Sequence, residues 1–369
     1  MLNSEYFIWG AGTYGRRLIQ FMGDDIRFKG VIDNNPAKQG TVFHGVPVIS
    51  YEQAKEFMPK FISSTKMVIA LSIPTQVRSL LQQDGLIENE DYYTILDFVP
   101  RFYWAKNELV AKTINLLPTT MCNMKCESCQ SYIPYAVNKN STSAFDLKHD
   151  IDSAFKHIDR AININICAGE SLLNKQLPEV TAYIYEKYAD RYFEMCIQTN
   201  GTIIPADDDM RRFSYAKVIF SVSEYPENPK ITEKFINACK KFNVEWYSNR
   251  QADRELWHDF GNPHEVTQTN PEQLRIRYQQ CFIPGAAVYE GWLYLCAAQS
   301  WSHAIAAAGT RQQGDAFDLC QPKTTKSREE VFRIISRQPE QGYISHCMRC
   351  NGTIPVFTIT REQRGRDGQ

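Results

Sequence analysis

The sequence predicts an α/β protein of three parts: an N-terminal parallel sheet, a central partial (β/α) barrel and a small C-terminal cysteine-rich domain. Three observations lead to this prediction: a glycine-rich turn between a strand and a helix near the N-terminus, repeated strand–helix units in the middle, and eleven cysteines, all after residue 121. A chain of 369 residues is long enough for two or three domains. We expect the three parts to span residues 1–100, 110–260 and 270–360, followed by a flexible tail at 361–369.

The composition excludes several classes of protein. Hydrophobic residues make up 43% of the chain and charged residues 22%, which is typical of a folded globular protein. The 41 basic and 42 acidic residues balance to a net charge of -1, which argues against a protein that coats nucleic acid or an anionic membrane. No apolar run approaches the ~20 residues that span a bilayer, and the first residues lack the basic region of a secretory signal. We therefore expect a cytoplasmic protein that binds neither nucleic acid nor membrane.

The N-terminal segments follow the order strand, glycine turn, helix, strand, acid. A predicted strand at 5–9 precedes the turn, a helix at 16–22 follows it, and a second strand at 28–33 ends on an aspartate. This order is typical of a Rossmann-type unit, in which the glycines let the backbone approach a phosphate at a helix N-terminus and the acid accepts a ribose hydroxyl. The candidate nucleotide-binding residues are Gly10, Gly12, Gly15 and Asp33.

Nucleotide binding by this part is a separate question from its fold. About 100 residues is short for a complete dinucleotide domain, so two interpretations stay open: a bound nucleotide, or a domain that keeps the fold without the ligand. The segments 31–35 and 45–48 resemble those of small nucleotide-binding domains attached to sugar-modifying enzymes.

The middle of the chain alternates between strand and helix patterns. Strands are predicted at 113–118, 163–167, 193–198, 217–223 and 243–247, and helices at 151–160, 177–188, 208–213 and 231–242. Repeated units of this length predict a parallel barrel or partial barrel of TIM type. In such folds the chemistry lies where strands end and loops begin.

Three cysteines lie within eight residues, directly after the first of these strands: Cys122, Cys126 and Cys129. A cytosolic compartment keeps thiols reduced, so clustered cysteines there favour a metal site over disulfides. Three thiolates on one loop can bind three irons of a four-iron cluster and leave the fourth iron open. Zinc, which prefers four ligands in tetrahedral geometry, is the alternative.

Two further motifs follow in order, at the ends of the next two predicted strands. They are Ala168-Gly-Glu-Ser-Leu-Leu173 and Gln198-Thr-Asn-Gly201. Together with Cys122-x-x-x-Cys126-x-x-Cys129, they resemble the three-cysteine, Gly-Gly-Glu-Pro and Thr-Asn-Gly motifs of the radical S-adenosylmethionine superfamily over about residues 112–250. The chain departs from the family pattern at Ser128, Ala168 and Ser171.

The resemblance implies a reaction and a set of binding residues. The three cysteines would hold a four-iron cluster that binds S-adenosylmethionine, and reductive cleavage would give a 5′-deoxyadenosyl radical that abstracts hydrogen from a substrate. The resemblance also implies a flavodoxin or ferredoxin as electron donor, and it names no catalytic side chain. The residues it places at S-adenosylmethionine are Gly169, Glu170, Thr199, Asn200, Ser221 and Ser223.

The C-terminal part contains a second set of spaced cysteines. Cys281 and Cys296 frame Gly291, and a Cys-x-x-Cys pair, Cys347 and Cys350, lies near the C-terminus. This spacing resembles the SPASM or twitch extensions of the same superfamily, which implies one auxiliary four-iron cluster on these four cysteines. Four thiolates would satisfy zinc equally well. The resemblance leaves Cys320 as a spare or substitute ligand.

Four functional hypotheses follow. The first is a radical S-adenosylmethionine enzyme acting on a nucleotide-linked sugar or other small molecule in polysaccharide or natural-product biosynthesis. The second is a peptide-modifying maturase of the same superfamily. The third is a zinc-stapled NAD-dependent oxidoreductase, and the fourth a non-catalytic nucleotide sensor with iron–sulfur input. The third leaves the motifs at 168–173 and 198–201 unexplained, and the fourth predicts a cluster that binds no S-adenosylmethionine.

Some residues are expected to have structural roles only. We expect three further cysteines to pack as small hydrophobic side chains in the core: Cys167, Cys196 and Cys239. We expect His346, beside Cys347, to lie on the surface.

Overall fold

The computed structural model describes residues 1–2, 4–57, 65–126, 128–225, 229–250, 257–281, 285–307, 314–352, 354–356 and 364–365. They form a mixed α/β protein that divides into two compact units, Met1–Val110 and Ala111–Gln369. The expected flexible tail at 361–369 lies outside the described residues, apart from 364–365.

The first unit is built on one sheet. Its strands are β1 Glu5–Trp9, β2 Phe28–Ile32, β3 Val42–Phe43, β4 Val46–Ile49, β5 Thr65–Ile69 and β6 Tyr92–Thr94, and its helices are α1 Thr13–Met22, α2 Tyr51–Glu56, α3 Thr75–Gln83 and α4 Ile95–Trp104. The strand order is β3-β4-β2-β1-β5-β6, parallel except between β3 and β4. After Glu5 every residue of β1 is buried, as expected of a central parallel strand covered on both faces.

From residue 110 the chain forms a second set of elements. The strands are β7 Val110–Leu116, β8 Met124–Lys125, β9 Arg160–Ile166, β10 Tyr192–Thr199, β11 Ile219–Glu224, β12 Glu245–Arg250, β13 Trp257–Asp259, β14 Ala286–Tyr289, β15 Trp292–Tyr294, β16 Ala316–Asp318, β17 Ile354–Val356 and β18 Arg364–Gly365. The helices are α5 Ala144–His157, α6 Leu177–Tyr188, α7 Asp207–Tyr215, α8 Pro229–Phe242, α9 Pro271–Gln280, α10 Ala297–Ala304 and α11 Thr325–Ile335.

The large sheet of this unit has the order β12-β11-β10-β9-β7-β14-β15-β16. Strands β9 to β12 are parallel neighbours, and β14 pairs in parallel with β7. Strand β15 is antiparallel to both of its neighbours, β14 and β16, and all three come from the region expected to form the third part. That region therefore extends the sheet of the middle region.

The two faces of this sheet differ in chemistry. Phe220 of β11 packs edge-on against Phe213 of α7 and Phe235 of α8, so its face is the helix-covered one. The register places Ile197 beside Phe220 on that face. Because side chains alternate along a strand, Ser221 lies on the opposite face.

The largest difference between an expected and an observed helix is in α5. The helix expected at 151–160 is α5, which begins at Ala144 and ends at His157, and Arg160 already belongs to β9. Ser143 caps the helix by accepting the Asp146 N–H at 3.1 Å. The first turn was missed because its apolar Phe145 is 77% exposed, which breaks the apolar period. In the described parts of the chain, no helix combines the length and apolar character needed to cross a bilayer.

Candidate metal and cosubstrate site

The loop that carries the first three cysteines starts from a fixed point after β7. The Thr120 N–H donates to the Asn140 carbonyl at 2.9 Å, and the Thr119 hydroxyl donates to the same carbonyl at 2.9 Å. The start of the loop is therefore fixed to the backbone of Asn140.

The three thiols of this loop act electrostatically on one buried phenol. Tyr225, directly after β11, has its pKa raised first by burial and then by the thiols of Cys126, Cys129 and Cys122. Burial also raises the pKa of the Cys122 thiol to about 12 and that of Cys129 above its usual value. Neutral thiols in this position must release protons when they bind a metal. Sequence reasoning missed Tyr225.

The backbone after Cys129 turns back on it, because the Tyr132 N–H donates to the Cys129 carbonyl at 2.9 Å. The N–H groups of Ile133, Ser131 and Tyr132 act against the rise that burial causes in the pKa of the Cys129 thiol.

The turn after β9 fits closely against this loop. Gly169 has φ of 55°, and a Cβ there would lie 2.1 Å from the Met121 carbonyl oxygen, so the position requires glycine. The Glu170 N–H donates to the same carbonyl at 2.8 Å. Ala168, which departs from the family's glycine, has φ of 139°, a conformation that costs a residue with a side chain.

Glu170 joins this turn to the end of β10. Its side chain is 0% exposed and accepts the Leu172 N–H at 3.1 Å, the Thr199 hydroxyl at 2.8 Å and the Asn200 N–H at 2.7 Å. Burial raises the pKa of this carboxyl, and these donors act against that rise. These three donors come from both motifs, one from 168–173 and two from 198–201.

Hydrogen bonds also join the Thr-Asn-Gly turn to the cysteine loop. The Asn200 side-chain amide donates to Asn123 Oδ1 at 2.8 Å, and the Asn123 amide donates to the Thr202 hydroxyl at 2.7 Å. Asn123 directly follows Cys122. A continuous chain of hydrogen bonds therefore joins the three predicted motifs, and Asn123 is a member that sequence reasoning missed.

The face of the sheet away from the helices is polar next to this site. Ser221 is buried, and the hydroxyl of the neighbouring Tyr247 lies 3.4 Å from the Cys196 sulfur. Ser221 is the third of the six residues of β11, and Ser223 is the fifth. The Tyr247 side chain remains 43% exposed.

The remaining expected core cysteines are buried, but two of them also make polar contacts. Cys239 is 0% exposed on α8. Cys167 accepts from the Asn165 amide at 3.2 Å and lies 3.4 Å from Asn115 Oδ1, while Cys196 contacts Tyr247. The two strand cysteines therefore belong to the polar face of the sheet.

The four C-terminal cysteines line one cavity: Cys281, Cys296, Cys347 and Cys350. The pKa of Cys296 is raised to about 12, chiefly by burial and then by the neighbouring thiols of Cys281 and Cys350. Burial raises the pKa of Cys350 to about 11. The spacing in the sequence thus corresponds to one group of thiols in space.

Two arginines hold the backbone around this cavity. Arg277 donates to the Cys347 carbonyl at 2.8 Å and also to the Cys350 carbonyl, and Arg337 donates to the Cys281 carbonyl at 3.3 Å. No motif in the sequence marks either arginine, because each acts across more than 50 residues of chain.

Three other C-terminal residues are now placed. Gly291 has φ of 74° in the turn between β14 and β15, so the motif glycine serves that turn. Cys320 is exposed and does not line the cavity. His346 was wrongly expected on the surface: it is 5% exposed and lines the cavity.

The donor set fits iron–sulfur ligation. All eleven cysteines are free of disulfides. Among the residues that the structure describes, no three Cys, His, Asp or Glu side chains converge on one point as a single ion would require. A four-iron cluster makes a different demand, because each cysteine binds a different iron.

The N-terminal glycine turn has the expected shape. Gly10 has φ of 121°, and a Cβ on Gly15 would lie 2.1 Å from the Gly10 carbonyl oxygen, so the turn and α1 require both glycines. A Cβ on Gly12 would meet no atom within 4 Å, which leaves open space at the start of the helix.

Asp33 lies beside this turn, but its carboxylate is engaged inside the protein. It accepts the Ala11 N–H at 3.0 Å, the Lys38 ammonium at 3.0 Å and the Asn35 N–H at 2.9 Å. Burial raises the pKa of Asp33, but these donors outweigh it and hold that pKa below its usual value. The predicted ribose contact would have to share an oxygen with these partners.

No family model and no curated protein matches the chain. Among solved structures, BtrN in complex with AdoMet and 2-DOIA aligns with a TM-score of 0.42 and 14% identity, over 66% of this chain and 94% of BtrN. Native anSMEcpe with bound AdoMet aligns with a TM-score of 0.32 and 18% identity, over 37% of this chain and 43% of anSMEcpe.

Streptococcus suis SuiB bound to S-adenosylmethionine aligns with a TM-score of 0.32 and 13% identity, over 55% of this chain and 47% of SuiB. This chain therefore spans less than half the length of anSMEcpe and of SuiB. These proteins are of the superfamily that the three motifs resemble. Because every one of these TM-scores lies below 0.5, the residues of this chain carry the functional proposal.

Proposed function

We propose that this chain is a radical S-adenosylmethionine enzyme. The observation that carries the proposal is the hydrogen-bonded chain from Asn123 through Asn200 to Glu170, which joins the cysteine loop to the two other motifs. When bound, a four-iron cluster and S-adenosylmethionine would together supply a 5′-deoxyadenosyl radical for hydrogen abstraction.

The residues of the chain bind and orient. Cys122, Cys126 and Cys129 would hold the cluster. Gly169 keeps the turn after β9 close to the loop, and Glu170 holds the Thr-Asn-Gly turn in place.

Four side chains of β10 and β11 remain the proposed cosubstrate ligands. Thr199 is the last residue of β10 and Asn200 follows it, while Ser221 and Ser223 lie in β11. Their hydroxyl and amide groups suit the ribose and carboxylate of S-adenosylmethionine.

The C-terminal cysteines are proposed to hold an auxiliary four-iron cluster. Cys281, Cys296, Cys347 and Cys350 share one cavity, and two arginines bond to the backbone of three of them. This arrangement supports a SPASM or twitch-like role for residues 270–360. The proposed radical S-adenosylmethionine core is the partial barrel of residues 110–260. A flavodoxin or ferredoxin is the proposed electron donor.

We propose a nucleotide-linked sugar or another small molecule as substrate. The strand order β4-β2-β1-β5-β6 and the open space at Gly12 support a Rossmann-like nucleotide-binding role for the first unit. The polar face of the second sheet, with its exposed Tyr247 ring, supports a small polar substrate.

The test is anaerobic reconstitution of the chain, followed by assay for 5′-deoxyadenosine with dithionite and S-adenosylmethionine. The unaltered chain should bind about eight irons and release 5′-deoxyadenosine. Cys126→Ala should abolish release, whereas Cys320→Ala, at the exposed thiol outside the cavity, should retain it.

The metal counts separate the alternatives. About four irons with cleavage would keep the radical enzyme and leave the C-terminal cysteines to zinc or to structure. Zinc alone without cleavage would contradict the proposal and favour a zinc-stapled oxidoreductase.

A further inference from the structure

A cavity of about 540 Å³ lies outside the site described above. Its lining residues come from 117–120, 140–150 and 289–290, and none of them is a cysteine or a residue of the other two motifs. Leu117 follows β7 and Tyr289 ends β14, and these strands pair in parallel, so the cavity lies at their carboxyl ends. Ligands of α/β proteins bind at this edge of a sheet, and the volume is usual for a small-molecule site.

Three carboxylates line the cavity: Asp146 and Asp150 of α5, and Glu290 of the turn between β14 and β15. Asp150 is buried and accepts the Gly291 N–H at 2.7 Å, which joins the helix to the turn. Asp146 and Glu290 are exposed. The lining residues, all of them in the described part of the chain, include no lysine and no arginine. A cleft lined by one sign of charge attracts the opposite sign, so this cavity favours a positively charged ligand.

The hydroxyl groups of the lining have already donated their protons within the protein. The Thr142 hydroxyl donates to the Leu117 carbonyl at 2.8 Å, and the Ser143 hydroxyl donates to Asp146 Oδ2 at 2.6 Å. A hydroxyl has one proton and two acceptor lone pairs, so these oxygens can offer a ligand only acceptors. The cavity therefore suits a ligand that brings several N–H or O–H donors.

An aromatic ring lies beside these acceptors. Phe145, in the first turn of α5, lines the cavity with its side chain 77% exposed. Its ring stacks on that of His149 with the centroids 6.5 Å apart and the planes inclined by 20°. The face of an aromatic ring attracts an ammonium group, so this ring and the carboxylates favour the same kind of ligand.

We propose that this cavity binds a protonated primary amine that carries hydroxyl groups, with Asp146 and Glu290 as partners of the ammonium and Phe145 as its aromatic face. The hydroxyls of the ligand would donate to the oxygens of Thr142 and Ser143. This site contains none of the proposed metal or cosubstrate ligands, so the inference goes beyond the proposed function and does not depend on it.

The test is isothermal titration calorimetry of the reconstituted full-length chain at neutral pH. The probes are three hydroxylated primary amines, glucosamine, galactosamine and serinol, and glucose is the neutral match of glucosamine. We expect millimolar or tighter binding of at least one amine. Glucosamine should bind at least about tenfold more tightly than glucose, which is the difference expected of a charge-assisted hydrogen bond.

Substitutions in the lining locate the binding. Asp146→Asn and Glu290→Gln should each weaken binding of the amine by about tenfold, and Phe145→Leu by about twofold to fivefold. All three side chains are exposed, and asparagine at 146 keeps an acceptor for the Ser143 hydroxyl, so we expect these variants to fold. The matched control is Asp190→Asn, at an exposed residue after α6, which should leave the affinity unchanged.

Three results would each overturn the proposal: no millimolar binding of any of the three amines, equal affinity for glucosamine and glucose, or amine binding that neither Asp146→Asn nor Glu290→Gln weakens. If one of these two variants does not fold, the other decides.

Failure of this inference is distinguishable from failure of the proposed function, because calorimetry requires no cleavage of S-adenosylmethionine. A chain that binds the amine in this cavity and releases no 5′-deoxyadenosine would keep the inference and contradict the function. A chain that releases 5′-deoxyadenosine and binds none of the amines would keep the function and overturn the inference.

Discussion

At the scale of single residues, Glu170 does most to hold the candidate site together. One buried carboxylate serves three donors from two different motifs. The family resemblance marks the position, but its partners at Thr199 and Asn200 come from the end of another strand. A carboxylate with this many donors is a structural part of the site as well as a candidate ligand.

Glu170→Gln tests that role. Glutamine has one acceptor oxygen in place of two, so either the Asn200 N–H or the donors on Oε1 would face an amide NH2. We expect the free energy of unfolding to fall by about 1–3 kcal/mol, measured by urea denaturation of the metal-free protein. Glu179→Gln on α6, whose side chain is 56% exposed in an ion pair with Lys148, should cost less than about 1 kcal/mol. Equal effects of the two variants would contradict this role.

At the scale of elements, one contact ties α5 to the β14–β15 turn. Asp150 of α5 is 2% exposed, and its carboxylate accepts the Gly291 N–H at 2.7 Å. Burial raises the pKa of Asp150 to about 6. The motif glycine therefore links the turn to a helix of the middle region, through a carboxyl whose pKa lies above its usual value.

Asp150→Asn should show a pH-dependent gain in stability. Between pH 3.8 and about 6 the folded protein binds a proton at Asp150 that the unfolded chain does not. This group therefore favours folding at low pH, and its contribution is lost as the pH rises through about 6. Asparagine keeps an acceptor for Gly291 and carries no charge. The stability difference between the variant and the parent should therefore be up to about 3 kcal/mol larger at pH 7 than at pH 4.

Urea denaturation at the two pH values measures this difference. Asp190→Asn, at an exposed residue after α6, is the control for the removal of one carboxylate. A difference that is the same at both pH values would show that Asp150 titrates alike in the folded and unfolded chain.

At the scale of the whole molecule, the chain consists of two units with separate sheets. The first has its own core, which includes Phe7, Trp9, Ile32, Met67 and Ile69. With 110 residues it is within the usual size of an independent domain. The second unit joins the predicted middle and C-terminal regions in one sheet.

We expect residues 1–108, produced alone, to fold cooperatively. The sheet and core of this unit are complete within that segment, because β6 and α4 end before residue 105. Thermal denaturation followed by circular dichroism should give one sigmoidal transition. Trp9→Ala, at a side chain 2% exposed, should remove about 3–5 kcal/mol and lower the midpoint strongly or abolish the transition. A gradual, non-cooperative loss of signal from the unaltered fragment would contradict this prediction.

Much of the site was predictable because its signals are local. The spacing of Cys122, Cys126 and Cys129 placed three thiols on one loop. The glycines at 10 and 169 marked turns where a Cβ would collide with backbone. The strand pattern predicted that Asp33 follows β2. It did not predict the hydrogen bond that the Lys38 ammonium donates to the Asp33 carboxylate.

The sequence by itself thus determined the order of strands and helices, the turns that require glycine and the grouping of the cysteines. Only the tertiary structure decided that Tyr132 lies against His346, that Tyr225 lies near the thiols of the first cysteine loop and that β14 extends the central sheet. The reason is physical. Periodicity and turn chemistry act over a few residues, whereas these contacts join residues about 100 to 200 positions apart, and only the packing of the whole unit brings them together.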